Sequence, residues 1–160
     1  MAETYLQNIV RNYPEEDLPE KWKDFDLAKF SENKRLFDFQ QEALRNAIKA
    51  LFIYHNNFKE NKASFFDLYK ENGLRDNLSY TKRQDSKTIK YLEANDYPED
   101  NGTISFEHFI NRMSFWMATG SGKTIVIVKL IEVLGLLMKR GVLPKKDIMF
   151  LTYRDDLIDQ

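Results

Sequence analysis

Eight consecutive residues, Met117, Ala118, Thr119, Gly120, Ser121, Gly122, Lys123 and Thr124, hold most of the chemistry that this sequence can offer. Glycines permit a tight turn and let backbone N–H groups close around an anion. A helix that begins directly after them adds the partial positive charge of its N-terminus. A lysine in the seventh place reaches the β- and γ-phosphates of a nucleotide, and the hydroxyl after it ligates Mg²⁺. The order fits the phosphate-loop pattern G-x-x-x-x-G-K-[ST], with Met117 standing where the pattern has Gly. On these grounds Thr119, Gly120, Ser121, Gly122, Lys123 and Thr124 are the expected residues for binding ATP or GTP, Lys123 and Thr124 the expected catalytic ones, and Thr124 the expected Mg²⁺ ligand. The bland alternative is a glycine turn carrying a surface lysine. Other chemistry is scarce: there is no cysteine, which removes disulfides, thiolate zinc sites and thiol nucleophiles together. His55 and His108 lie far apart, with no carboxylate at metal-ligand spacing.

The surrounding elements must present that loop. Residues 113–117 are a short apolar run before it, residues 125–138 an apolar-rich helical segment after it, and residues 148–152 a second apolar run. Lys139, Arg140 and Gly141 form a helix C-terminal signature, and Pro144 prevents continuation. Strand, glycine loop, helix and strand make a βαβ unit, which predicts an α/β chain with a parallel sheet. The helix is apolar nearly all round, which predicts burial against that sheet. Upstream, Pro14 and Pro19 predict short helices joined by turns over residues 1–35. Ala43, Leu44, Ala47, Ile48, Leu51 and Phe52 recur at helical spacing, and Asp38 with Gln41 resembles a capping box at the start of that helix. Residues 56–102 change in texture: between 56 and 100 there are eight Lys/Arg and nine Asp/Glu, and the apolar residues keep no long period. Phe65, Phe66, Leu68 and Tyr69 predict a helical turn, residues 80–95 a second helix, and residues 97–102 a turn. This stretch reads as a helical insertion with balanced charge.

Three segments together resemble one family. Met117 to Thr124 is similar to motif I of superfamily 2 helicases and translocases, in particular the motor subunits of type I and type III restriction enzymes and the UvrB-like and DEAD/DEAH group. Phe39, Gln40, Gln41, Glu42 and Ala43 resemble the family's upstream "Y/F-Q-x-x-A" element, which implies that Gln40 reads the adenine edge; an amide can donate to a ring nitrogen while accepting from the exocyclic amine. Residues 148–160 resemble motif Ia in its "FLADR-x-x-L-x-x-Q" form, which implies that Thr152 and Arg154 touch a nucleic-acid backbone. Two other readings of that segment stay open: Asp155 and Asp156 complement a helix dipole, or they stand in for a metal-binding Walker B acid.

The resemblance implies a partial RecA-like P-loop NTPase sheet, with residues 1–35 as a helical lead-in, residues 36–160 as the first part of a helicase ATP-binding domain, and residues 56–102 inserted into it. It also implies ATP and Mg²⁺ as cofactors and duplex DNA as partner, held through backbone contacts. Methyltransferase or specificity subunits of a restriction system would be further partners. Motif I ends at residue 124 and the chain stops within motif Ia, so a truncated motor is expected, one that alone binds nucleotide weakly, if at all, and does not turn it over. The alternatives are a small P-loop phosphotransferase, or a partner-binding module with a vestigial loop. Composition bounds the rest. A formal charge of -1 gives no bulk basic character, and 12 Phe, 8 Tyr and 2 Trp can build a core. The N-terminus lacks a signal-peptide pattern, and no apolar stretch reaches membrane length, so a cytoplasmic protein is expected.

Overall fold

Pro14 and Pro19 break the N-terminal region as their chemistry requires. The computed structural model describes residues 5–74, 78–79, 99–100, 103–108 and 110–150. Helix α1 spans Tyr5–Asn12, a single 3-10 turn Glu15–Asp17, and α2 Glu20–Lys23. Helix α3 runs Asp38–Phe52 and passes into a π-helical turn, Ile53–Asn57. Helix α4, Lys62–Glu71, is capped by Asn61, whose side-chain oxygen accepts the Ser64 N–H at 3.0 Å. Helix α5 covers Lys123–Lys139. Its C-terminal signature acts as the sequence predicts: Arg140 is the C-cap and Gly141 takes φ +71.

The residues group into two compact units, Met1–Pro19 with Arg45–Ala118, and Glu20–Leu44 with Thr119–Gln160. In the first unit Ile9, Val10, Ile48, Phe52, Phe65 and Phe66 are buried. Aromatic contacts tie this core together: Tyr13 meets Phe52 at 5.7 Å, Phe65 meets Tyr69 edge-on at 5.3 Å, and Phe66 stacks on Phe106 at 4.3 Å. Lys49 Nζ donates to the Tyr13 carbonyl at 2.7 Å, fastening the chain after α1 to α3. Strands β1 (Leu78–Ser79), β2 (Glu99–Asp100) and β3 (Thr103–Ile104) form a small antiparallel sheet of order β1-β3-β2. Asp100 pairs with Thr103 and Glu99 with Ile104; most of the turn expected at residues 97–102 lies outside the described residues.

In the second unit, Trp22, Leu36, Leu44, Val133, Leu137 and Leu143 are buried. Arg140 fastens the end of α5: its guanidinium donates to the carbonyls of Lys21 and Asp24, both at 2.9 Å, and lies over the Phe25 ring at 4.5 Å.

Two expectations are corrected here. The predicted α/β architecture, a partial RecA-like parallel sheet, is overturned: the described residues are mainly helical, and their only strand pairings are antiparallel. Residues 113–117 and 148–150 carry no strand ladder; Trp116 is 99% exposed and Met149 81%. Parallel strands are stable when neighbours satisfy the backbone and helices cover both faces. Apolarity in a short run identifies none of those partners. Helix α5 is likewise not buried all round. Its buried stripe is Val126, Lys129, Val133 and Leu137, while Ile127 and Val128 face solvent. The predicted helix at residues 80–95 lies outside the described residues.

Candidate nucleotide site

The loop ahead of α5 is built on two left-handed glycines, Gly120 and Gly122, each at φ +78. That conformation strains residues with a Cβ by about 1–2 kcal/mol. Gly122 is the N-cap of α5 and contributes no side-chain cap. Its carbonyl accepts the Val126 N–H at 3.2 Å, so the helix is wound from its first turn. A Cβ built on Gly120 would meet nothing within 4 Å, which leaves one side of the loop open. Thr119, Gly120, Lys123 and Thr124 are exposed, and Ser121 and Gly122 are half-buried.

Gln40 reaches this loop. Its Nε2 donates to the Ser121 carbonyl at 2.8 Å across 81 residues of sequence. Its Oε1 accepts the Phe37 N–H at 2.9 Å. With Asp38 as the first helical residue, Phe37 is the N-cap and Gln40 the third position inside, so this second bond is half of a capping box. The box sits one residue earlier than the Asp38 and Gln41 pair suggests. Gln41 instead donates to the Leu36 carbonyl at 2.9 Å. Gln40 is 4% exposed, and a Cβ on Gly122 would lie 2.6 Å from its Nε2, so the amide packs flush against the loop.

These residues fit a polyphosphate: glycine backbone able to turn N–H groups toward an anion, a helix N-terminus, an ammonium on Lys123 and a hydroxyl on Thr124. Among the described residues no group of three or more His, Asp or Glu could hold a metal. Thr152 and Arg154, with Asp155 and Asp156, lie outside the described residues.

Sequence reasoning missed three features. Phe37 and Phe39 form a stacked, solvent-facing pair, 5.8 Å between centroids, beside the Gln40 cap. Arg140 anchors α5 through contacts more than a hundred residues distant, which no local pattern signals. Lys129, 6% exposed, sits on the inner face of α5 and donates to both carboxylate oxygens of Glu132, at 3.0 and 3.1 Å. A lysine four residues after Ile125 in an apolar helix is the visible hint of that pair.

No helix among the described residues is long and apolar enough to cross a membrane. No curated protein and no solved structure matches the chain. A protein-family profile does: the one described as type III restriction enzyme, res subunit, matches residues 33–160, which takes in Gln40, the whole glycine loop and α5. The chain therefore belongs to the type III restriction enzyme res-subunit family, a family of superfamily 2 helicase motor domains.

Proposed function

We propose that this chain is the nucleotide-binding part of an ATP-dependent DNA helicase or translocase of the restriction type. ATP·Mg²⁺ is held at Thr119, Gly120, Ser121, Gly122, Lys123 and Thr124. The observation that carries the proposal is the pair of left-handed glycines at the start of a 17-residue helix, lying within the res-subunit match. Lys123 offers its ammonium to the β- and γ-phosphates, and Thr124 offers its hydroxyl oxygen to the metal. Mg²⁺, when bound, neutralises charge that develops on the phosphate oxygens. Gln40 joins the same site through Ser121.

Within this proposal, residues 36–160 are the first part of a helicase ATP-binding domain, with residues 56–102 inserted and residues 1–35 leading in. Thr152 and Arg154 contact the backbone of duplex DNA. Methyltransferase or specificity subunits are the further partners, and the setting is cytoplasmic. The test is Lys123→Ala in the protein that carries this chain. DNA-stimulated ATP hydrolysis is expected to disappear, while the helical circular-dichroism spectrum stays unchanged. Hydrolysis at the wild-type rate would refute the loop assignment.

A further inference from the structure

We propose that the turn between α3 and α4 is a latched hinge: the contact between His55 and Glu60 holds two left-handed residues closed, and its loss lets the turn open while Phe65 keeps the two helices together. All of these groups belong to the first unit, so the inference stands apart from the nucleotide-loop reading. Helices commonly end on a single left-handed residue, most often Gly because it carries no Cβ. Here Lys59 has φ +48 and Glu60 φ +61, two in succession and neither of them Gly. Each incurs a strain that corresponds to about a tenfold disadvantage in population. Such a conformation persists only when its surroundings over-determine it.

The contacts that hold this turn are few and local. Because α3 passes into a π-helical turn, its last carbonyls accept from five and six residues on: Phe58 N–H donates to the Ile53 carbonyl at 3.1 Å and Glu60 N–H to the Tyr54 carbonyl at 3.0 Å. His55 Nδ1 and Glu60 Oε1 lie 3.0 Å apart, the carboxylate accepting, and the Tyr54 hydroxyl donates to the Glu60 carbonyl at 3.4 Å. Glu60 therefore carries strain in its backbone and the latch in its carboxylate. Both partners of the latch are partly exposed, and a pair of that kind contributes no more than about a fivefold preference. Two left-handed residues outweigh that, so the turn opens more readily than the helices beside it. Phe65 supplies the pivot. It is buried in the first turn of α4, Tyr54 and Phe58 rest against its ring at 5.2 and 5.5 Å, and Tyr69 meets it edge-on. None of these ring contacts involves Lys59 or Glu60, so the turn can relax without unpacking the core.

The experiment is native-state hydrogen exchange followed by NMR on the full chain, each amide corrected for its intrinsic rate. In the wild type the Glu60 amide is expected to exchange at least about tenfold faster than the Tyr69 amide in α4. His55→Phe keeps a ring against Tyr54 and removes the ring nitrogens. It should speed exchange at Glu60 and Phe58 about threefold and leave Tyr69 unchanged. Glu60→Ala removes the other partner, so it should speed Phe58 by the same factor, and the double variant should add nothing further. Lys59→Gly should act in the opposite direction, slowing Glu60 exchange about threefold, because relief of the strain exceeds the freedom that glycine gains in the open turn. A Lys59→Gly variant that exchanges at the wild-type rate or faster would overturn the proposal, since the turn would then hold no strain. Unchanged exchange in His55→Phe, additive effects of the two latch variants, or an acceleration that extends equally to Tyr69 would overturn it too. A wild-type Glu60 amide as protected as Tyr69 would do the same.

Discussion

Gly122→Ala isolates the contact between Gln40 and the loop. Gly120 and Gly122 share φ +78, so alanine at either position incurs the same left-handed strain, about 1–2 kcal/mol. Part of that is offset because alanine also restricts the unfolded chain, by about 0.4–1 kcal/mol. At Gly120 a Cβ meets nothing within 4 Å, so Gly120→Ala is expected to destabilise by only about 1 kcal/mol. At Gly122 the same atom would sit 2.6 Å from Gln40 Nε2, well inside van der Waals contact. The amide is the movable partner, and it cannot move without releasing the Ser121 carbonyl and the Phe37 N–H. Two neutral buried hydrogen bonds contribute about 0.5–1.5 kcal/mol each, so Gly122→Ala should destabilise by about 3 kcal/mol in all. Urea denaturation followed by tryptophan fluorescence measures it, because Trp22 is buried in the same unit as the loop while Trp116 is already in solvent. The double variant Gly122→Ala with Gln40→Ala closes a thermodynamic cycle. Once the amide is gone, alanine at 122 should cost no more than alanine at 120, giving a coupling of about 2 kcal/mol. Additive effects, or a Gly122→Ala penalty within about 0.5 kcal/mol of Gly120→Ala, would refute the reasoning.

Other substitutions test the rest of the fold. Arg140→Ala should destabilise the second unit by about 1–2 kcal/mol through the lost carbonyl bonds and ring contact, and Arg140→Lys should recover less than half of it in the same urea titration, since an ammonium lacks the planar fork. Lys129→Met, which replaces a buried charge by an apolar chain of similar length, should leave Tm unchanged or raise it, whereas Glu132→Ala should lower Tm by stranding the buried ammonium. Burial pushes the Tyr69 hydroxyl up from 10.0 to about 12. Between those values the unfolded chain releases a proton that the folded chain retains, so the stability tied to Tyr69 is complete below pH 10 and is lost as pH rises toward 12, by up to about 2.7 kcal/mol. Tyr69→Phe should flatten the decline over that window, and equal slopes for the two proteins would exclude the effect.

Local chemistry explains which elements were legible in the sequence. Pro14 and Pro19 lie between the short helices, before the 3-10 turn and before α2, where a missing N–H is tolerated, and Gly141 ends α5 because it accepts positive φ; both rules act within a few residues. The body of α3 followed from helical spacing of apolar residues and its start at Asp38 from an expected capping box, which the structure places one residue earlier, and α4 followed from the cluster around Phe65. The parallel sheet failed because residues 113–117 and 148–150 have the composition of buried strands but no neighbouring strand among the described residues. For the same reason the hydrophobic pattern of α5 hid Lys129: a lysine in an apolar helix reads as a solvent-facing break, and only Glu132 three residues on makes its inward placement affordable.

Gln40 shows where the limit lies. Its residue type and spacing singled it out, and in this structure both partners of its amide are backbone groups that no side-chain pattern encodes. One neighbour is local: the N-cap of its own helix three residues back. The other is 81 residues away at Ser121. A side chain with one acceptor and one donor can satisfy both at once, which joins the start of α3 to the loop before α5 within a single unit. The glycine at 122 then has two separate requirements, a left-handed φ and the absence of a Cβ where Nε2 lies. The motif accounts for the first; the second is visible only once Gln40 is in place, and it makes the loop before α5 dependent on a residue 81 positions earlier, about half the chain.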